Sequence, residues 1–128
     1  MAAIHNIVCD RPRPHVRVAR FVRPDFRSAL YDAEPITECE LYRELKSDAL
    51  AGLNADDAVV LNFGLLEHLP SVFFRLLMEL RNDLKQRHVR LLLCGMQPSV
   101  KESFELMGGG KLFEVRATET RAVADGSA

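Results

Sequence analysis

The chain has 128 residues, of which 48% are apolar and 27% charged; this suits one globular domain and excludes fibrous, collagen-like and disordered chains. A chain of this length needs no metal or disulfide to stabilise its core, and its apolar runs are far shorter than the roughly 20 residues that cross a bilayer. The start lacks the pattern of a secretory signal. We therefore expect one domain over residues 1–128, with a frayed tail at about 125–128, located in the cytoplasm and without a membrane partner.

Positive charge is concentrated at the start of the chain, although the formal net charge is only −1. Residues 1–30 hold six Arg against two Asp, whereas the remainder holds eleven Lys or Arg against sixteen Asp or Glu. This asymmetry raises the question of a nucleic-acid partner. The arginines at 11, 13, 17, 20, 23 and 27 have neither helical spacing nor interleaved aromatic residues. We therefore expect a solvated strand face, with a phosphate-binding patch as the alternative, and no nucleic-acid partner.

The first half of the chain predicts two strands and one helix. Residues 4–9 form an extended piece, residues 11–14 predict a connector because prolines alternate there, and residues 15–21 alternate like a half-buried strand. A loop follows over residues 23–31. A helix then begins at Pro35, capped by Asp32 or Glu34, and runs to about residue 51, where Gly52 ends it. Its buried stripe is expected to contain Ile36, Cys39, Leu41, Leu45 and Ala49.

The second half predicts a strand–helix–strand unit followed by shorter elements. Residues 58–63 and 89–94 are near-continuous apolar runs, which are typical of parallel strands covered on both faces. The helix between them spans about residues 71–88. A third helix at 99–107 is ended by the glycines at 108–110, a short strand covers 113–115, and a last helix covers 119–124. The buried stripe of the central helix is expected to be Phe73, Leu76, Leu77, Leu80 and Leu84.

These elements give an α/β fold in the order β-β-α-β-α-β-α-β-α. We predict a mixed sheet of four to five strands with about four helices.

No arrangement of residues is typical of catalysis or metal binding. The histidines at 5, 15, 68 and 88 have no paired spacing, and Cys9, Cys39 and Cys94 are widely separated, which predicts buried, reduced thiols. A single Gly64 follows a strand, whereas a phosphate-binding loop needs several glycines there. We therefore expect no enzyme activity, no metal and no cofactor.

The segment from Glu67 to Phe74 is the remaining candidate site, because it places apolar side chains beside a helix start. In an open α/β sheet, ligands and partners gather outside the carboxyl ends of the strands, where this segment is expected to lie. Ser71 stands where a hydroxyl can cap the first turn of the helix, and the same place favours a phosphate group. From the residue alone, Ser71 is either a plain helix cap or a modification site.

The chain resembles the STAS domain, the sulfate transporter and anti-sigma factor antagonist module, from about His15 to Val123. Residues 59–63 are similar to the central strand of that family, and residues 89–95 to its next strand. Residues 98–106 followed by 111–115 are similar to the family ending P-x-V-x-x-x-F-x-L, then L-F-x-I or L-F-x-V. Asp32, after Leu30 and Tyr31, falls at the family's Leu-Asp start of helix one. The resemblance implies a STAS-like fold.

The resemblance also implies a role for Ser71. Family members commonly carry Asp-Ser-Ser-Gly or Asp-Ser-Thr-Gly at the start of the second helix, and the first hydroxyl accepts phosphate from a partner serine kinase. Ser71 falls at that acceptor position. The neighbouring positions depart from the motif, because Pro70 replaces Asp, Val72 replaces the second hydroxyl and Phe73 replaces Gly. The loss of the carboxylate and the bulk of Phe73 argue against a phosphate switch, whereas the hydroxyl of Ser71 at the acceptor position argues for one.

The leading hypothesis is a non-enzymatic regulatory domain, similar to an anti-sigma factor antagonist, that docks a serine kinase or another regulator through the start of the second helix. Exposed apolar side chains there would anchor the partner. One alternative is a constitutive scaffold or self-associating subunit, which burial of both Phe73 and Phe74 would favour. A further alternative is a domain that binds a nucleotide or another small ligand at the same strand ends. The predicted partner-binding residues are Asp32, Pro70, Ser71, Val72, Phe73, Arg75, Gly95, Met96 and Gln97.

Overall fold

A single five-stranded sheet organises the chain. The computed structural model describes residues 6–26, 30 and 35–127. The strands are β1 (Ile7–Arg13), β2 (Val16–Phe21), β3 (Ala58–Asn62), β4 (Arg90–Cys94) and β5 (Glu114–Arg116), and they lie side by side in chain order. β1 is antiparallel to β2, and the other neighbours are parallel. The mixed sheet and the order of elements confirm the sequence prediction.

The predicted helices occur in the predicted order with different bounds, and one further short helix begins at Gly109, where only a helix stop was predicted. A 3₁₀ turn (Ile36–Glu38) precedes α1 (Glu40–Glu44), which continues as a π-helical turn (Leu45–Ala49). The others are α2 (Ser71–Gln86), α3 (Pro98–Leu106), the short α4 (Gly109–Leu112) and α5 (Glu119–Gly126).

Both faces of the sheet are covered, as the continuous apolar runs predicted. Because side chains alternate along a strand, Val59 and Leu61 face the main core, whereas Ala58 and Val60 face the other side. The predicted stripes of α1 and α2 are all buried in the main core. The smaller cluster on the opposite face consists of Val16, Val18, Ala58, Val60, Leu92, Cys94, Ala122 and Val123.

The first predicted connector is wrong, because residues 11–13 belong to β1. Arg13 pairs with Val16, after a register shift between Asp10 and Arg13. Pro12 lacks an N–H group but is tolerated because β1 is at the edge of the sheet. Pro12 therefore lies within the edge strand without ending it, whereas Pro14 follows its last residue, Arg13.

The first helix is also less regular than predicted. Cys39 has extended backbone angles (φ −71°, ψ 156°) that separate the 3₁₀ turn from α1. Its sulfur accepts a hydrogen bond from the backbone N–H of Tyr42 at 3.4 Å, so that Cys39 acts as the cap of α1. The predicted caps Asp32 and Glu34 lie outside the described residues.

The arginines of β2 and the following loop do not form the expected solvated face. Arg17 is buried, and its guanidinium donates to the carbonyl oxygens of Ala49 and Ala51, at the end of the π-helical turn. Arg20 pairs with Glu119, and Arg23 donates to Asn6 at 2.9 Å. Three of the five described arginines therefore join separate parts of the chain, and Arg27 lies outside the described residues. Arg11 and Arg13 are exposed.

Candidate docking surface at the start of helix α2

The loop after β3 and the turn after β4 lie side by side at the carboxyl end of the parallel strands. The N–H of Phe63 donates to the carbonyl oxygen of Cys94 at 2.9 Å. The side-chain amide of Gln97 donates to the carbonyl oxygen of Gly64, also at 2.9 Å. The parallel register of β3 and β4 thus brings together Gly64 and Gln97, which are 33 residues apart, as the sequence predicted.

Asn62, the last residue of β3, holds the loop at its beginning. Its Oδ1 accepts a hydrogen bond from the N–H of Gly64 at 2.7 Å. Gly95 passes so close that a Cβ atom added there would lie 2.8 Å from the same oxygen, and its φ of +73° favours glycine independently. Two constraints therefore require glycine at position 95, which packs this turn against the loop.

Helix α2 begins one residue earlier than a capping role for Ser71 requires. Pro70 is the N-cap, its backbone is extended, and its carbonyl oxygen accepts from the N–H groups of Phe73 and Phe74 at 3.0 and 3.3 Å. No side chain caps this helix start, and its first turn contains no acidic residue. Of the two roles left open for Ser71, the plain cap is therefore wrong; Ser71 is the first helical residue and is exposed.

Phe73 is not available to a partner, because its side chain is fully buried. Its ring lies 5.3 Å from Phe21, 5.7 Å from Phe26 and 6.0 Å from Phe63, measured between ring centroids. Phe74 is only partly buried and packs against two other phenylalanines of the main core. The predicted role of Phe73 as a binding residue is thus wrong. Its side chain lies on the face of α2 that packs against the core, so it cannot also contact a partner.

Leu65 is the apolar side chain that the sequence did not single out. It is 60% exposed, whereas its neighbour Leu66 is fully buried. Two consecutive leucines in a loop carry no periodicity that would tell which one faces the core. Only its position in the chain indicates exposure. Leu65 follows Gly64 just after the end of β3, at the edge of the sheet where partners gather.

We define the α2 surface as the residues around this helix start that reach solvent. Ser71 and Arg75 are exposed, and Val72 and Met96 are half-buried against the core. Asp32, also predicted for this surface, lies outside the described residues. The α2 surface consists of Leu65, Pro70, Ser71, Val72, Arg75, Gly95, Met96 and Gln97.

A charged pair supports the loop from the other face of the sheet. Glu119, the first residue of α5, accepts hydrogen bonds from Nε and Nη2 of Arg20, both at 2.8 Å. It also accepts one from Nδ2 of Asn62 at 3.0 Å. The hydrogen bonds from Arg20 hold the pKa of Glu119 below its ordinary value, so the carboxylate is charged at neutral pH.

The described part of the chain offers little reactive chemistry. No group of three or more His, Cys, Asp or Glu side chains in residues 6–26, 30 and 35–127 is arranged to hold a metal ion. Cys39 and Cys94 are buried free thiols, as predicted, while Cys9 is half-buried. Burial raises the pKa of all three, that of Cys94 to about 12, which leaves these thiols protonated at neutral pH.

Helices long and apolar enough to span a bilayer are not found in the described ranges.

Comparison with known proteins gives one family. The model of the STAS domain matches residues 20–122. BtrV of Bordetella bronchiseptica, which carries the name of an anti-sigma factor antagonist, is 33% identical over 66 residues; the match spans 52% of this chain and 57% of BtrV, little more than half of that protein.

Solved structures show the same fold. An anti-sigma factor antagonist (STAS) domain protein from Planctomyces limnophilus has a TM-score of 0.73 at 18% identity, over 95% of this chain and 98% of that chain. The anti-sigma factor antagonist SpoIIAA in its unphosphorylated form has a TM-score of 0.62 at 19% identity, over 91% of this chain and 92% of that chain. With the family model matching most of its length, this chain belongs to the STAS domain family.

Proposed function

We propose that this chain is a non-enzymatic regulatory domain of the anti-sigma factor antagonist kind, acting in the cytoplasm and docking a partner protein through the α2 surface. The partner in this proposal is a serine kinase of the anti-sigma type or another regulator. The family and the names of the similar proteins support the regulatory role. The observation that carries the docking site is Leu65, 60% exposed in the loop that leads to the exposed Ser71.

Leu65 has the properties of an anchor. Fully burying a leucine side chain contributes about 1.5–3 kcal/mol. The backbone on both sides of Leu65 is held by hydrogen bonds to Gly64 and Glu67, so docking orders little additional chain. Val72 and Met96 extend the apolar contact as half-buried neighbours.

Phosphorylation of Ser71 is the regulatory part of the proposal. A phosphate adds a charge of about −1.5 to −2, and at an apolar interface this charge opposes docking. The bulk of Phe73 had argued against a kinase reaching Ser71, but that ring packs into the core and leaves the approach to the hydroxyl open. The exposed position of Ser71 supports a phosphate acceptor, whereas Pro70 and Val72 still depart from the family motif.

The docking site is tested by two leucine variants with matched chemistry. Leu65→Glu removes the anchor, whereas Leu106→Glu changes an 81% exposed leucine on α3 that is outside the α2 surface. The partner is first captured from the native host with the wild-type chain and identified by mass spectrometry. Isothermal titration calorimetry then measures its affinity for each variant. We expect Leu65→Glu to weaken binding by about tenfold or more and Leu106→Glu to bind like the wild type.

Equal affinities of the two variants would refute the α2 surface as the docking site. Light scattering on the same samples tests the alternative of a self-associating subunit. If the wild type forms a concentration-dependent dimer and Leu65→Glu dissociates it, the partner on the α2 surface is a second copy of this chain.

A further inference from the structure

A chain of hydrogen bonds runs through the sheet from α5 to the loop that carries Leu65. Glu119 accepts from Arg20 and from Nδ2 of Asn62. The other end of the Asn62 amide, Oδ1, accepts from the N–H of Gly64 at 2.7 Å. The charge at the start of α5 is therefore joined to the backbone of the loop through one side chain.

The loop is also held from its second side. The amide of Gln97 donates to the carbonyl oxygen of Gly64 at 2.9 Å, so both polar backbone groups of Gly64 are bonded to side chains. Beyond Leu65, the N–H of Glu67 donates to the carbonyl oxygen of Pro24 at 2.9 Å. Leu65 itself is 60% exposed and is held little by packing. Its direction therefore follows the backbone around it, which these hydrogen bonds hold together with the one from the N–H of Leu66 to the carbonyl oxygen of Phe63.

The chemistry at position 62 needs one donor and one acceptor on the same short side chain. An Asn amide supplies both. An ionised Asp would keep the acceptor for Gly64, but it could not donate to Glu119 and would face that carboxylate with a like charge. Asn62 is thus suited to relay the position of Glu119 to Gly64.

We propose that Asn62 and Gln97 are positioning residues for partner docking and that Glu119 orients Asn62, so that α5 sets the pose in which the loop presents Leu65. This inference rests on the proposed function, because it assigns a role to Asn62 and Glu119, which lie behind the α2 surface, and to Gln97 within it. A change on α5, which lies across the sheet from the main core, is therefore expected to alter the conformation of the loop that carries Leu65.

Glu114 provides a matched control for Glu119. It also forms a two-pronged pair with an arginine, Arg90, at 2.8 and 2.7 Å, on the same face of the sheet. Arg90 is the first residue of β4, so this pair lies at the other end of the strands from Gly64. Glu114→Ala should therefore cost a comparable ion pair without touching the loop.

Amide hydrogen exchange, followed by NMR in the full chain, tests the relay without a partner. Asn62→Ala removes the acceptor of the Gly64 N–H, so we expect that N–H to exchange about fivefold faster. Glu119→Ala releases the other end of the Asn62 amide, so it should accelerate the same exchange to a smaller extent. Glu114→Ala should leave that rate unchanged. Wild-type protection of Gly64 in Glu119→Ala, or an equal acceleration in Glu114→Ala, would overturn the inference.

Calorimetry with the captured partner tests the positioning role. Glu119→Ala and Gln97→Ala are expected to weaken binding about fivefold, while Glu114→Ala retains the wild-type affinity. If Glu119→Ala loosens Gly64 but binds normally, the positioning role fails and the proposed function stands. If Leu65→Glu binds like the wild type, the proposed function fails and the positioning role falls with it.

Discussion

At the scale of single residues, Ser71 is a position where negative charge should act on the fold and on the partner in opposite directions. Helix α2 starts without a side-chain cap and without an acid in its first turn. Ser71→Asp should therefore stabilise the fold by about 0.3–1 kcal/mol through the helix dipole. At the same time it should weaken partner binding, because it places a charge at an apolar contact.

Thermal unfolding and calorimetry of one preparation measure both effects of Ser71→Asp. Ser71→Ala is the control and should leave the melting temperature and the affinity near their wild-type values. If Ser71→Asp binds more weakly and also melts at a lower temperature, the loss of binding is due to unfolding. If Ser71→Asp binds like the wild type, the phosphate switch is refuted.

Residue-scale prediction from sequence succeeded where periodicity applies and failed where it does not. The stripe of α2 was predictable because five apolar positions share one face, and all five are fully buried. The same stripe shows why Phe73 could not be both a core residue and an anchor. Leu65 could not be separated from Leu66 because a loop has no regular period. The neighbouring Gly64 is bonded to Asn62 and, across the fold, to Gln97, and sequence spacing does not reveal the second contact.

At the scale of elements, the end of α2 contains a strained residue that can be relieved. His88 has a φ of +58°, in the left-handed region. Its N–H donates to the carbonyl oxygen of Lys85, and the N–H of Val89 donates to that of Leu84, which together form a Schellman motif. Glycine adopts this conformation without the steric cost that histidine bears.

We therefore expect His88→Gly to raise the free energy of unfolding by up to about 1 kcal/mol, measured by urea denaturation. His68→Gly, in the exposed loop before α2, serves as the comparison for loss of a histidine side chain. A destabilised His88→Gly would show that the side chain contributes more than the strain costs.

Element types were easier to predict than their continuity. The continuous apolar runs of β3 and β4 identified parallel strands, because such runs are buried on two faces. The breaks around α1 were not predictable, since the extended backbone at Cys39 has no proline or glycine to mark it. The prolines near the end of β1 predicted that the strand stops before them. An edge strand tolerates proline, however, because one of its sides has no partner strand.

At the scale of the whole molecule, stability should fall in acid. The pKa values of Asp57, Glu114, Glu119 and Asp125 lie below their ordinary values, chiefly because Asp57 accepts a hydrogen bond from the N–H of Asn54 and the other three carboxylates accept from arginines. A lowered pKa means that the unfolded chain binds more protons near pH 4. The stabilisation is thus present above the ordinary values of about 4 and is lost as the pH falls through the lower folded values.

Urea denaturation between pH 7 and pH 3 measures this dependence. The free energy of unfolding should be nearly flat from pH 7 to about 5 and decline below about 4. Glu119→Gln should make the decline shallower, because one of the linked carboxylates is removed. A stability that rises on acidification would contradict the assigned shifts.

NMR can show where on this chain the partner binds. The ¹⁵N-labelled chain is titrated with the captured partner, and the amide chemical shifts are followed residue by residue. We expect the largest changes in residues 64–75 and 95–97. Largest changes on β1 or along α5, with residues 64–75 unaffected, would contradict it.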